Sequence, residues 1–177
     1  MKTCILFGFI AALAGAFLVL IEFFVGLHSD ISRLPVANVV GSVGGLAISI
    51  TCTVLGVKAR RADVPAGEAF GYGRAAWSGI VINAVGSVLS AVFLYAYYAF
   101  INPGFADILL QDSSNKLEAK GLSGDRLEKI EAFNRIMFTP GWMAVFAVVL
   151  GLVFGVVLAL IVAAFLKRPA PAAVPAA

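Results

Sequence analysis

Glu22 is the one acidic residue set inside an apolar stretch, CILFGFIAALAGAFLVLIEFFVGL, which runs from Cys4 to Leu27. A carboxylate in hydrocarbon is expensive unless it is paired, protonated or hydrated, and such residues mark proton relays and ion pathways. Glu22 is therefore the candidate coupling carboxylate of a proton- or ion-coupled carrier. It also lies little more than a turn from the end of its stretch, where it can reach interfacial water or one of the tyrosines between Tyr95 and Tyr98. Two amides, Asn38 and Asn83, fall in other apolar stretches and can hydrogen-bond from helix to helix.

Other chemistry is thinly represented. His28 is the single histidine and has no Cys, His or carboxylate cluster at metal-ligand spacing, so neither a metal site nor a haem is expected. Gly-x-Ser-x-Gly, His-Glu-x-x-His and paired aspartates within the apolar stretches are all missing, which leaves an intramembrane hydrolase no nucleophile–base pair. Gly71-Tyr72-Gly73-Arg74 echoes a dinucleotide fingerprint but lacks the preceding strand and the later acid. The expectation is a non-enzymatic protein with no cofactor.

The elements that must hold these residues are membrane spans. The chain is 61% hydrophobic and only 13% charged, with a mean hydropathy of +0.99. Soluble domains run to about 45–50% apolar and about 25% charged. At about 20 residues per span, 177 residues hold four helices and one sizeable loop. The spans fall at about 4–27, 37–57, 75–101 and 142–166, with an outer loop over 102–139 and a Pro/Ala tail, 169–177, expected to be disordered. Residues 1–168 form a single domain in this reading. The fold class is all-α integral membrane: a four-transmembrane-helix bundle whose long extracytoplasmic loop carries short amphipathic helices.

Within that loop, Phe105, Ile108 and Leu109 give one amphipathic turn, and 115–120 a short helix stopped by Gly121. A clearer helix spans 123–138, with Leu127, Ile130, Phe133 and Met137 on one face and acid-before-base pairs Asp125/Lys129 and Glu131/Arg135. It reads as a solvated or membrane-resting element.

Charge sets orientation. Lys58, Arg60, Arg61, Arg74, Lys167 and Arg168 hug span ends on the side of Met1, while most basic residues of the other side sit within the long loop. The positive-inside rule then places both termini in the cytoplasm. Arg60, Arg61 and Arg74 fall at the inner headgroups as lipid contacts. No basic run is dense enough to suggest nucleic acid.

Small residues recur along each span at spacings of three or four, and close backbone packing is what drives helix association in lipid. Gly8 and Gly15 mark the first stripe, which continues to Glu22. Asn38 and Gly45 mark the second, Gly79 and Asn83 the third. Gly151 and Gly155 belong to the fourth, which has no polar member and can face either its own bundle or another subunit.

GEAFGYGRAAWSG at the start of the third span, YAYYAFINPGF at its end, GLSGDRLEKIEAF in the loop and AAFLKR closing the fourth span resemble a family of uncharacterised bacterial four-span inner-membrane proteins. That family is known only as a domain of unknown function, and the resemblance covers Met1 to Arg168. It implies the bacterial inner membrane and this topology, and it brings no activity, cofactor or catalytic residue. The leading expectation is an accessory or scaffold subunit or a self-associating bundle, partnered by membrane lipid and by its own copies or other membrane subunits. The alternative is the small carrier built on Glu22.

Overall fold

A computed structural model describes residues 1–169; the expected tail lies outside these residues except for Pro169. The chain is all-α, with helices α1 (Lys2–Phe24), α2 (Leu34–Ala62), α3 (Tyr72–Ala96), α4 (Phe105–Ala119), α5 (Asp125–Met137) and α6 (Pro140–Leu166). A 3-10 turn, Ile31–Arg33, precedes α2, and a π-helical turn, Tyr97–Ile101, extends α3. Among the described residues the only β pairing is one bridge between Phe70 and Arg168. Four segments, Lys2–Phe24, Ile31–Ala62, Tyr72–Ile101 and Pro140–Leu166, are long and apolar enough to cross a membrane. The third, at 30 residues, is about 45 Å long against about 30 Å of hydrocarbon, so it must tilt or project.

Large apolar side chains line the outside of these segments, from Phe17 and Phe24 to Phe165, which is 81% exposed. Such a surface suits lipid, and helices suit lipid because they satisfy their own backbone.

Local chemistry sets the helix ends. Gly26, at φ 78°, closes α1: Leu27 N–H donates to Glu22 C=O at 2.8 Å and Gly26 N–H to Phe23 C=O at 2.9 Å. This is the six-to-one and five-to-two pair of a Schellman cap, and its left-handed residue favours glycine. Gly121, at φ 82°, closes α4 in the same way, with Leu122 donating to Leu117 and Gly121 to Glu118. Asp30 caps the 3-10 turn by accepting from Ser32 N–H at 2.8 Å, and that backbone hydrogen bond holds its carboxyl below the usual range. Pro35 lies in the first turn of α2, where a missing N–H does no harm.

The loop helices differ from the sequence expectation. The turn at Phe105 and the short helix at 115–120 are one helix, α4, because no glycine or proline interrupts 105–119. Asp107 favours its N-terminal turn, and Lys116 pairs with Asp112 at 2.6 Å one turn apart. The expected pairs Asp125/Lys129 and Glu131/Arg135 do not come within ion-pair distance among the described residues.

Packing divides the chain into two compact units. One holds Met1–Ala14, Leu46–Leu89 and, of the described residues, 149–169. Its core contains Cys4, Val57, Phe70, Ile82, Leu158 and Val162, all buried. Helices meet here at glycines. A Cβ at Gly8 would stand 2.7 Å from the Ile82 carbonyl oxygen, at Gly79 2.8 Å from Ala159 Cβ, and at Gly155 2.5 Å from Asn83 Cβ. At Gly151 it would stand 2.6 Å from Ser87 Oγ. The small-residue stripe of α6 is thus occupied by α3 of the same chain. Of the two neighbours the sequence left open for this stripe, its own bundle is the one seen at Gly151 and Gly155.

The other unit comprises Gly15–Gly45 and Ser90–Val148. Here the expected stripes are displaced. Gly15 and Gly45 face open space, whereas a Cβ at Gly44 would stand 2.7 Å from Leu18 Cδ2. The inward face of α2 is Ala37, Gly41 and Gly44, one residue before the expected Asn38, Ser42 and Gly45. One residue is a rotation of about 100°, enough to turn Asn38 outward. α4 packs on α5 and on the 3-10 turn, with Asn134 Nδ2 donating to Ser113 Oγ at 2.9 Å.

Candidate functional site

The reversal at Gly26 folds the chain after α1 back onto α1 itself. His28, six residues after Glu22, returns so that its Nε2 lies 3.5 Å from Glu22 Oε2. Both side chains are buried, Glu22 at 3% exposure. Among the described residues Glu22 Oε1 has no hydrogen-bond partner. The carboxylate fits against α2 because Gly41 has no side chain; a Cβ there would stand 3.2 Å from Oε1.

The far side of the imidazole is held by α3. Tyr97, fully buried, places its hydroxyl 2.6 Å from His28 Nδ1, and Asn102 Nδ2 donates to the same hydroxyl at 3.1 Å. The π-helical turn makes this possible. Its five-residue spacing, closed by Asn102 N–H to Tyr97 C=O at 2.8 Å, sets Asn102 directly after Tyr97 on one side of the chain. Phe105 lies against the ring of His28, centroids 4.5 Å apart, and Phe23 meets Tyr97 edge-on.

Accepting from Asn102 leaves the Tyr97 hydroxyl both a proton and a second lone pair, so its contact with His28 Nδ1 forms with either neutral tautomer; the one protonated on Nε2 also points a donor at the Glu22 carboxylate. Burial pushes His28 below the ordinary histidine range, which favours the neutral ring. The result is a line of groups, Asn102, Tyr97, His28 and Glu22, ending at a carboxylate oxygen with nothing bonded to it. The free carboxylate oxygen can take up a proton, while Tyr97 and Asn102 hold the imidazole in place beside it.

Sequence reasoning singled out Glu22 but not its partner. His28 was set aside because no ligand spacing surrounds it, and a separation of six is not a helical neighbour. The available signal was Gly26, whose place between the two invites a Schellman reversal. The expectation that Glu22 meets a tyrosine is modified: Tyr97 arrives through His28, and Tyr95 points outward.

Asn83 sits in a second polar cluster, within the first unit. Its Nδ2 donates to Gly79 C=O at 2.9 Å and to Thr53 Oγ1 at 3.0 Å, and its Oδ1 accepts from Ser49 at 3.3 Å. Asn38 is exposed, and among the described residues its side chain makes no hydrogen bond. Arg74 bonds Ala69 C=O at 3.1 Å and Glu68 at 3.3 Å, Arg61 bonds Leu166 C=O at 3.3 Å, and Arg60 lies 3.8 Å from Asp63. Among the described residues no three His, Cys, Asp or Glu side chains gather as a metal site would require.

Four apolar helices with a carboxylate and an imidazole buried together at one of them define an all-α membrane protein with an ionisable site. The sequence profile of DUF4199, a family described as protein of unknown function, matches residues 6–168, and the chain belongs to that family. No curated protein and no solved structure matches it.

Proposed function

We propose that this is a non-enzymatic, multi-pass protein of the bacterial inner membrane, with both termini cytoplasmic, that works as a small proton-coupled carrier through Glu22 and His28. The observation that carries the reading is the buried carboxylate with one oxygen unbonded and the other facing the chain's only histidine. A group left so incompletely satisfied in a hydrophobic setting marks function more often than stability. In this reading a proton from water reaches Glu22 Oε1, the charge of the carboxylate is removed, and its hold on His28 relaxes. That change at the meeting of α1, α2 and α3 is what substrate movement would use.

An accessory or self-associating role is the second reading; α3 fills the α6 stripe at Gly151 and Gly155, so that stripe does not by itself call for another subunit. Small-residue packing of this kind holds one chain together as readily as two.

Carbodiimide modification of Glu22 in proteoliposomes tests the reading, since the reagent attacks a protonated carboxyl in apolar surroundings. Labelling is expected to rise as pH falls, to vanish in Glu22→Gln, and to be accompanied by loss of proton-driven solute uptake in that variant. Labelling independent of pH, or unaltered uptake in Glu22→Gln, would overturn it.

A further inference from the structure

Helix α5 buries none of its residues, although it packs on α4. Leu127, Ile130 and Asn134 share the face toward α4, where Asn134 bonds Ser113. A second side, centred about 110° around the helix from the first, is unpartnered among the described residues. At 100° per residue, Arg126, Lys129, Phe133 and Ile136 fall within about 80° of one another, and all four are exposed, Phe133 at 58% and Ile136 at 54%. Phe133 is therefore not part of the α4-facing side on which the sequence pattern grouped it with Leu127 and Ile130.

The composition of this stripe identifies its occupant. Two exposed aromatic or branched apolar side chains favour burial, and two basic side chains lie beside them, neither in an ion pair among the described residues. Glu128 and Glu131 project to the far side, and Asp125 flanks the stripe at its first residue. Arg135 lies between the two glutamates, so that side carries both signs, whereas the stripe's two cations stand beside apolar side chains; such a stripe suits an anionic bilayer surface, with the rings and methyls among acyl chains and the ammonium and guanidinium reaching phosphates. The position in the chain agrees: α6 starts at Pro140, four residues after Ile136, so α5 is tethered where the chain meets the bilayer.

We infer that α5 lies on the surface of the membrane the protein spans, bound through Arg126, Lys129, Phe133 and Ile136 to anionic phospholipid. The inference is independent of the carrier reading. It is tested with full-length protein carrying a nitroxide at Ile136→Cys, the buried Cys4 and Cys52 left in place, in nanodiscs of phosphatidylcholine with or without phosphatidylglycerol. In the anionic discs, collisions with oxygen should exceed those with a water-soluble nickel reagent several-fold. The ratio should fall toward the aqueous value in pure phosphatidylcholine and with Arg126→Glu/Lys129→Glu. A label at Glu128→Cys should remain aqueous in both. An aqueous ratio at Ile136→Cys in anionic discs would overturn the inference. So would shielding from both reagents, which would mean a protein partner on this face.

Discussion

Two polar clusters lie among these apolar helices, and they are built differently. Around Asn83 every hydrogen-bonding atom of the amide is engaged: Thr53, Ser49 and Gly79 C=O take its donors and acceptor, and none of these groups ionises in the physiological range. Around Glu22 the groups are ionisable, the contact to His28 is 3.5 Å, and one carboxylate oxygen is buried with no partner. A satisfied neutral network stabilises one arrangement of helices. An unsatisfied ionisable one is sensitive to whatever supplies a proton or a charge. The difference separates glue from site.

The comparison breaks first at the glycines that let the Asn83 cluster close. Gly155→Leu drives a side chain into Asn83, with even its Cβ 2.5 Å from Asn83 Cβ. We expect a loss of about 3 kcal/mol, the upper end for overpacking. Gly15→Leu and Gly45→Leu, which meet open space, should stay within about 0.5 kcal/mol of the parent. Unfolding of purified protein in mixed micelles reads both. Equal losses at Gly45 and Gly155 would mean the helix faces are wrongly assigned.

Asn83→Leu is next. It removes a partner from the fully buried Thr53 and from Ser49, and interhelical hydrogen bonds in membranes are weak on average, so about 1–2 kcal/mol should be lost. The double variant with Thr53→Val should recover part of that loss, because the fully buried Thr53 hydroxyl is no longer left without a partner. A loss that stays undiminished would show that the amide acts by shape alone.

The two clusters were unequally legible in the sequence. Hydropathy revealed the four spans because lipid demands long unbroken apolar helices. Asn83 was visible because it recurs with Gly79 on a helical stripe. The facing of α2 was not: Ala37-Gly41-Gly44 and Asn38-Ser42-Gly45 are both small-residue stripes, one residue apart, and only the partner helix chooses between them. Glu22 was conspicuous by its charge. Its environment was hidden, because His28 arrives by a backbone reversal and Tyr97 from 69 residues away. The π-helical turn that aligns Tyr97 with Asn102 has no composition cue in YYAFIN.

Glu22→Gln sharpens the contrast from the other side. The amide keeps the shape and an acceptor for His28 Nε2–H while removing the charge, so stability should change by less than about 1 kcal/mol in either direction. Asn83 and Glu22 would then be ranked oppositely by stability and by proton-dependent labelling. A stability loss at Glu22→Gln larger than that at Asn83→Leu would make the carboxylate a structural element and remove the distinction.

The smallest expected effect is the pH dependence contributed by His28. Burial holds its folded-state value below the ordinary histidine value of 6.5 that the unfolded chain takes. Between those two values the unfolded chain binds the proton and the folded chain does not, so unfolding becomes easier as pH falls through that window. The contribution is fully present above 6.5 and lost once the pH has dropped through the folded value. Replacing His28 by Gln should flatten this slope, whereas Asn83→Leu should lower stability by the same amount at every pH. Thermal unfolding in detergent from about pH 8 to about pH 5 measures both. If the two variants give parallel curves, His28 does not titrate differently on folding, and the imidazole is held by its ring contacts with Phe105 and Tyr97 rather than by its protonation state.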